Sequence, residues 1–500
     1  MIWFVLKILF LAIVSFNLAY LLRHLIFALT ALCNQDSISP QIVKDVSYQP
    51  KISILIPARN EERVIWRVLA RILELTYPKE KLEVIVIDDA STDLTGLIAE
   101  KFAEKNSYIR VLHRCFGKGG IGKPAALNHG FEHSSGELVF CFDADYYPQK
   151  DILEKLVACF KDPNIAAVQG RVIVLNENRN LVTKLVTLER IGGYRVDQFA
   201  RDHLGLIPQF GGTVGGFRRS FLESVGGWDN AILAEDTDLT FKVYRAGYKV
   251  RYVNDAECLE EAVESWRAYW HQRSRWATGH IQCAFRHVFP ILKSKHLTRR
   301  EKIDGFLLLN VYFLPILLFA GWILGAFLFF FARSPLIAFL WASIIFSMYS
   351  AVGNFAPFFE VGVGVYLDGR KRLALFIPLL LVTFLLNILI CTKAFFNVRK
   401  KHHVWHKTEH NGELLPTKPE IYIQQPVLSK LIKISKEENL MAAKIRSRYV
   451  DKVSTIALLL LGGLQPEDLK EWYGVTDAEI AQAKQKIERL KLQEEVKIHG

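Results

Sequence analysis

The chain has no CxxC pair, and its seven cysteines (Cys33, Cys115, Cys141, Cys159, Cys258, Cys283 and Cys391) do not cluster with histidine. A zinc ribbon and a disulfide framework are therefore excluded, and the usage fits a reducing compartment. Internal repeats and low-complexity tracts are absent. No arginine-rich or base-stacking module accompanies the net charge of +12, so the charge does not point to nucleic acid. Contact of a basic protein with anionic lipid is the simpler reading. The apolar N-terminus lacks the small-residue exit of a cleaved secretory signal. What is present is a segregated composition: 51% hydrophobic residues beside 23% charged ones in 500 residues. That mixture excludes a disordered chain and predicts membrane segments alternating with soluble blocks.

Residues 1–33 are read as an uncleaved anchor that spans once, with Arg23 and His24 near the cytoplasmic interface. Residues 50–290 have the composition of a soluble α/β domain. Three further apolar runs, 305–331, 335–357 and 373–398, make up a membrane region over 305–398. Each is long enough for a hydrocarbon core of about 30 Å. Basic clusters at 370–372 and 399–401 cannot both stay on one side of a single full crossing. One run is therefore expected to be re-entrant or interfacial, and Pro315 marks the first. Beyond Lys407 the chain is polar and helical in pattern. The apolar patch 456–464 is too short to span, and residues 425–500 read as a cytoplasmic helical tail.

Within the soluble block, residues 52–57 (ISILIP) form a continuous apolar, β-branched run, the mark of a buried parallel strand. The turn 58–62 opens a helix. Residues 82–89 (LEVIVIDD) form a second strand, ending on Asp88 and Asp89, with 91–93 capping the next helix. Residues 108–112 and 137–142 are two more strands, the last leading into Asp143-Ala144-Asp145. Strands alternating with helices predict a doubly wound, mostly parallel sheet that binds ligands at the carboxyl ends of its strands. All four aspartates fall there.

Each motif has an ordinary structural reading beside its functional one. Asp143 and Asp145 suit Mg²⁺ or Mn²⁺ on a diphosphate, or a strand-end Asx turn; Asp88-Asp89 has the same alternative. Residues 117–123 (GKGGIGK) match a phosphate loop, but the hydroxyl that should follow is Pro124. Lys123 remains as a phosphate contact, and the other glycines read as a mobile loop. Glu235 and Asp236 open a helix, where acids compensate the dipole. Gln272, Arg275 and Trp276 stand at i, i+3 and i+4 of a helix spanning 261–288, so they share a face. Trp266, Tyr269 and Trp270 also suit an interfacial helix.

Taken in order, DD, DxD, ED and QxxRW, after a Pro-x-x-Asn-Glu turn and between membrane runs, resemble the membrane-bound family 2 glycosyltransferases. These are the processive β-polysaccharide synthases of the cellulose, hyaluronan and poly-N-acetylglucosamine type. The resemblance covers roughly residues 51–279, and not the last 75 or so. It implies a GT-A-like α/β nucleotide-sugar-binding domain, mostly parallel in its sheet, inserted between transmembrane helices and facing the cytoplasm. By match, Arg59, Asn60, Glu61, Asp88 and Asp89 hold the nucleoside. Lys123 and Asp143 face the nucleotide, and Asp143 and Asp145 hold Mg²⁺ or Mn²⁺. The segment 210–213 lines the acceptor site, Asp236 is the general base with Glu235 beside it, and Gln272, Arg275 and Trp276 match the QxxRW of the acceptor and diphosphate site, with Arg275 at the diphosphate and Trp276 at the acceptor sugar. Arg59 stands where many processive synthases carry Tyr, and Ala234 where Thr is usual. Trp405, Lys407 and Thr408 resemble part of a gating loop within 399–424.

The implied reaction moves a hexose or N-acetylhexosamine from a UDP-linked donor, with inversion, to a growing β-linked polysaccharide. Transfer of one sugar to a membrane lipid keeps the same chemistry with another acceptor. A nucleotide-sugar sensor that has lost catalysis is the third reading.

Overall fold

The run Ile52–Ala58 has apolar side chains on both faces, so it is stable only when covered on both sides. It forms strand β1, and Ile52, Ile54, Leu55 and Ile56 are wholly buried. The computed structural model describes residues 2–34, 48–115, 119–331, 355–398, 452–461, 465–473 and 475–498. The chain divides into two compact units: Pro50–Lys150 with His410–Gly500, and Met1–Gln49 with Asp151–Glu409.

In the first unit β1 pairs in parallel with β2 (Leu82–Asp88) and β4 (Leu138–Cys141), and β2 with β3 (Ile109–His113). The helices Ile65–Leu73, Thr95–Ala103 and Lys123–Glu132 make the crossovers. This is the alternation read from the sequence, with one difference. The first helix starts at Ile65 because residues after Asn60 fold into a turn, in which the N–H groups of Val64 and Ile65 both donate to the Glu61 carbonyl. The tail supplies three helices to this unit, Lys452–Leu461, Pro466–Tyr473 and Asp477–Ile498. Their core of Ile456, Leu459, Leu469, Val475 and Ile480 is joined by Leu97 from Thr95–Ala103. The patch too short to span a membrane is thus the core of a helical appendage.

In the second unit the strand Ile165–Val174 pairs in parallel with Lys249–Glu260 and antiparallel with Gly215–Arg218. Lys249–Glu260 delays the long helix: it begins at Trp266, capped by the Ser265 hydroxyl on the Ala268 N–H, and runs to Lys293 rather than over 261–288.

Among the described residues, three helices are long and apolar enough to cross a membrane: Ile2–Cys33, Arg299–Phe331 and Lys371–Asn397. Most of the run 335–357 lies outside the described residues. The Tyr20 hydroxyl donates to the Leu307 carbonyl at 2.7 Å, and Arg23 meets Asp197 at 2.8 Å. Asp197 also pairs with Arg201, which reaches Asp304 at 2.5 Å. These charges are buried together, and removing one partner from such a set costs about 3–5 kcal/mol. The first helix is thereby tied to the π-helical segment Ile191–Gln198. Arg299–Phe331 continues past Pro315 through a 3-10 turn, Val311–Phe313, until Leu328 reaches Phe10. Lys371–Asn397 also packs near both of its ends: Leu373 with Leu185 and Leu188, and Ile390, Cys391 and Ala394 with Tyr269, Ala277 and Ile281.

Candidate active site

In the unit built on β1–β4, two loops at the carboxyl ends of the strands lock together. Asn60 adopts φ 55° and Ala90 φ 56°, both left-handed. The Asn60 side-chain oxygen accepts from the Thr92 N–H at 2.6 Å, its own N–H donates to the Ser91 hydroxyl at 3.0 Å, and the Glu61 N–H donates to the Thr95 hydroxyl at 2.7 Å. Asn tolerates that backbone far better than a branched residue. Gly119 and Gly120 complete the locking. A Cβ on Gly119 would lie 2.7 Å from the Ala90 Cβ, and one on Gly120 would collide with the Arg59 guanidinium. Gly119 and Gly120 are therefore contact positions; residues 117 and 118 lie outside the described residues.

Asp88 and Asp89 diverge. Asp88 has no exposed surface; it accepts from the Ser91 N–H at 3.0 Å and faces His113 Nδ1 at 2.9 Å, while His113 Nε2 faces Glu100 at 3.0 Å. Its carboxylate shapes the turn rather than meeting solvent. Asp89 pairs with Arg114. Burial alone would lower the His113 pKa, but the hydrogen bonds and charges of Asp88 and Glu100 outweigh it and hold the imidazole above its ordinary value. A raised histidine pKa stabilises the fold fully below the unfolded value of about 6.5 and progressively less as pH rises through the folded one. Thermal melts of the wild type should therefore lose stability across that window, and His113→Gln should flatten the slope. An unchanged slope would refute the linkage. Asp93, next to Glu62, is pushed up to about 6, first by burial and then by that neighbouring carboxylate.

Lys123 is the first residue of its helix, after Gly122 at φ 125°, and its Nζ lies 2.6 Å from Asp143 Oδ1. Asp143 and Asp145 are both half-buried beyond the end of β4. Two accessible carboxylates form a hard-oxygen donor set that fits Mg²⁺ or Mn²⁺, and the adjacent ammonium suits a phosphate oxygen. Lys123 is thus in contact with Asp143.

In the second unit the acids opening helix Glu235–Arg245 have separate surroundings. Asp238 is wholly buried, 2.8 Å from both His287 Nε2 and Lys242 Nζ and 3.2 Å from Arg286. Those partners outweigh burial and lower its pKa, so it is an ionised anchor between helices. Asp236 is half-buried. Its Oδ1 accepts from the Thr237 N–H at 2.6 Å, and a Cβ on Gly212 would stand 3.2 Å from its Oδ2. Gly212 has φ 82°, so it supplies both the turn and the clearance in front of the carboxylate. Buried Gln169 fixes that turn, accepting from the Gly211 N–H at 2.7 Å and donating to the Thr213 carbonyl at 3.1 Å. Gly212→Ala imposes a left-handed alanine, about 1–2 kcal/mol, and a methyl against Oδ2. We expect turnover to fall roughly ten-fold with nucleotide affinity unchanged. Unchanged turnover would remove the clearance argument.

The helix Trp266–Lys293 approaches Asp236 through Gly279, where a Cβ would fall 2.5 Å from the Ala234 nitrogen. Trp276 lies under two guanidinium groups, Arg273 at 4.2 Å and Arg190 at 5.1 Å from its ring. Arg273 pairs with Glu189, which also accepts from the Tyr269 hydroxyl at 2.7 Å, and Arg190 grips Glu260 with two bonds at 2.5 and 3.0 Å. Gln272 accepts from Arg273 at 3.1 Å. Arg275 is half-buried on the same helix. Glu189, Arg190 and His113 were not singled out in the sequence; the first two sit in an ordinary helical pattern, and their link to Trp276 exists only in three dimensions. Trp405, Lys407 and Thr408 lie outside the described residues.

The glycosyl transferase family 2 profile matches residues 53–226. A probable glycosyltransferase, YdaM, of Bacillus subtilis (strain 168) is 37% identical over 276 residues, 55% of this chain and 65% of the relative. A beta-monoglucosyldiacylglycerol synthase of Nostoc sp. (strain PCC 7120) is 35% identical, over 53% of this chain and 56% of its own. The poly-beta-1,6-N-acetyl-D-glucosamine synthase of Staphylococcus aureus (strain COL) is 31% identical over 49% and 58%. The chain thus spans between about half and two thirds of the length of these curated relatives. The solved mannosyltransferase PcManGT of Pyrobaculum calidifontis, in complex with GDP-Man and Mn²⁺, aligns with a TM-score of 0.46 and 23% identity, over 73% of this chain and 99% of that one.

Proposed function

Because the chain carries a glycosyl transferase family 2 domain, we propose that it transfers a hexose or N-acetylhexosamine, with inversion, from a nucleotide diphosphate sugar to an acceptor at the membrane. The observation that carries this reading is Asp236: among the three acids opening its helix, it is half-buried behind a side-chain-free turn, while Asp238 is consumed by His287, Lys242 and Arg286. An acceptor hydroxyl attacks the anomeric carbon, and the bond from that carbon to the diphosphate oxygen breaks. Asp236 takes the hydroxyl proton, and nucleoside diphosphate leaves. Lys123 and Arg275 supply positive charge where the leaving diphosphate gathers negative charge. Asp143 and Asp145 would hold a divalent cation, which when bound supplies Lewis-acid neutralisation of the diphosphate. With one base and no nucleophilic carboxylate in the scheme, an α-linked donor yields a β-linked product.

The acceptor we favour is a growing β-linked polysaccharide, with the soluble units in the cytoplasm. The second reading, a single sugar placed on a membrane lipid, draws support from the apolar groove between Ile2–Cys33 and Arg299–Phe331. That groove is about 330 Å³ and is lined by Phe10, Val14, Asn17, Gly321 and Trp322. The detergent-purified chain is to be incubated with UDP- and GDP-sugars and Mn²⁺ or Mg²⁺, with the product sized. A high-mass ladder supports the polymerase, a single lipid-linked band the lipid acceptor. Nucleotide binding without any release, with metal and lipid or glycan acceptors supplied, would overturn both in favour of a sensor.

A further inference from the structure

We propose that His129, Glu132 and His133 form a binding site for a divalent transition metal of the zinc class, separate from the Asp143–Asp145 pair and independent of the transfer reaction. The three residues lie at i, i+3 and i+4 on the last turn of Lys123–Glu132, so their side chains leave one face of the helix. One ligand atom from each lies within 4.8 Å of the other two. His133 is the helix cap, with φ −97° and ψ 3°, close enough to helical geometry to keep the i, i+4 relation. The two imidazole rings stand 4.6 Å apart, and His129 Nδ1 is 3.9 Å from the Glu132 carboxylate.

The surroundings orient the ligands. His133 Nδ1 is 2.8 Å from the His129 carbonyl oxygen. A proton on Nδ1 donated to that carbonyl leaves Nε2 its lone pair, the orientation that metal-binding imidazoles usually take from an outer hydrogen bond. Arg110 on β3 donates to the His133 carbonyl and pairs with Glu83 at 3.0 Å, which braces the turn and compensates the guanidinium charge. Gly130 seats the helix against the sheet, since a Cβ there would lie 2.7 Å from Ile87 Cδ1. The helix is therefore rigidly backed, while Glu132 and His133 are exposed and His129 is half-buried. Metal can enter without opening the fold.

Two imidazole nitrogens and one carboxylate oxygen, with a fourth position left to water, match zinc and the metals near it in the affinity order. Magnesium prefers an all-oxygen set such as the Asp143–Asp145 pair.

Zn²⁺ titration of the full chain in detergent, in competition with a chromophoric zinc indicator, tests the assignment. The wild type should take up one more equivalent than the double variant His129→Ala/His133→Ala, and Glu132→Gln should weaken that equivalent roughly ten-fold. Equal uptake with equal affinity in wild type and double variant would overturn the site. Other histidines and the exposed Cys33 and Cys115 contribute equally to both proteins, so the difference isolates this cluster. Cu²⁺ bound at one equivalent gives a second reading by electron paramagnetic resonance. Coupling to two imidazole nitrogens in the wild type, lost in the double variant, is expected; identical spectra would contradict it.

Discussion

Asp236→Asn is expected to lower nucleoside diphosphate release by about 10²–10⁴-fold, the usual worth of a positioned general base, while donor affinity stays as in the wild type. The substitution is nearly isosteric, and an amide oxygen still accepts from the Thr237 N–H that Asp236 Oδ1 now engages. Loss of rate without loss of fold is therefore the predicted pattern. Asp238→Asn, two residues away, should do the reverse. Its carboxylate is buried against His287 and Lys242, so its neutralisation takes the counter-charge from the mostly buried Lys242 ammonium, weakens the bond to His287, and lowers thermal stability first. Turnover retained in Asp236→Asn would sink the assignment of the base.

Asp143→Asn and Asp145→Asn are expected to abolish metal-dependent release, by at least about 10²-fold, the scale of a lost electrostatic stabiliser. Asp143→Asn should show a second effect that Asp145→Asn does not. Lys123 Nζ sits 2.6 Å from Asp143, and losing that carboxylate removes a negative charge from beside the ammonium proposed to meet the nucleotide phosphates. Metal affinity should fall while metal-free nucleotide binding rises or holds. Isothermal titration of nucleoside diphosphate with and without Mn²⁺ separates the two. Metal-dependent release equal to wild type in both variants would remove the pair from the mechanism.

The strands of the first unit were legible because burial on both faces leaves a continuous β-branched run, as in Ile52–Ala58 and Leu82–Asp88. The carboxyl-end placement of the aspartates follows from strand order alone. Their environments do not: nothing in the string Asp88-Asp89 announces that the first is sealed against His113 and the second paired with Arg114. His113 ends β3 and Arg114 follows it, brought to those aspartates only by the β2–β3 register. The glycines at 119 and 120 read as loop flexibility because close approach to Ala90 and Arg59 is a tertiary property. Trp276 was found as a motif member, and Arg273 three residues before it shares its face, but Arg190 over the ring comes from another helix through a packing that no local pattern encodes. In the membrane part, Pro315 drew attention as a breaker, yet a 3-10 turn absorbs it.

The most direct test of the account is the anomeric configuration of the new glycosidic bond. The full chain in detergent and lipid, given an α-linked UDP-sugar and Mn²⁺, should yield a product whose proton NMR coupling at the anomeric position reports a β-linkage, with one nucleoside diphosphate released per bond. An α-linked product would mean retention, which a single base at Asp236 cannot deliver.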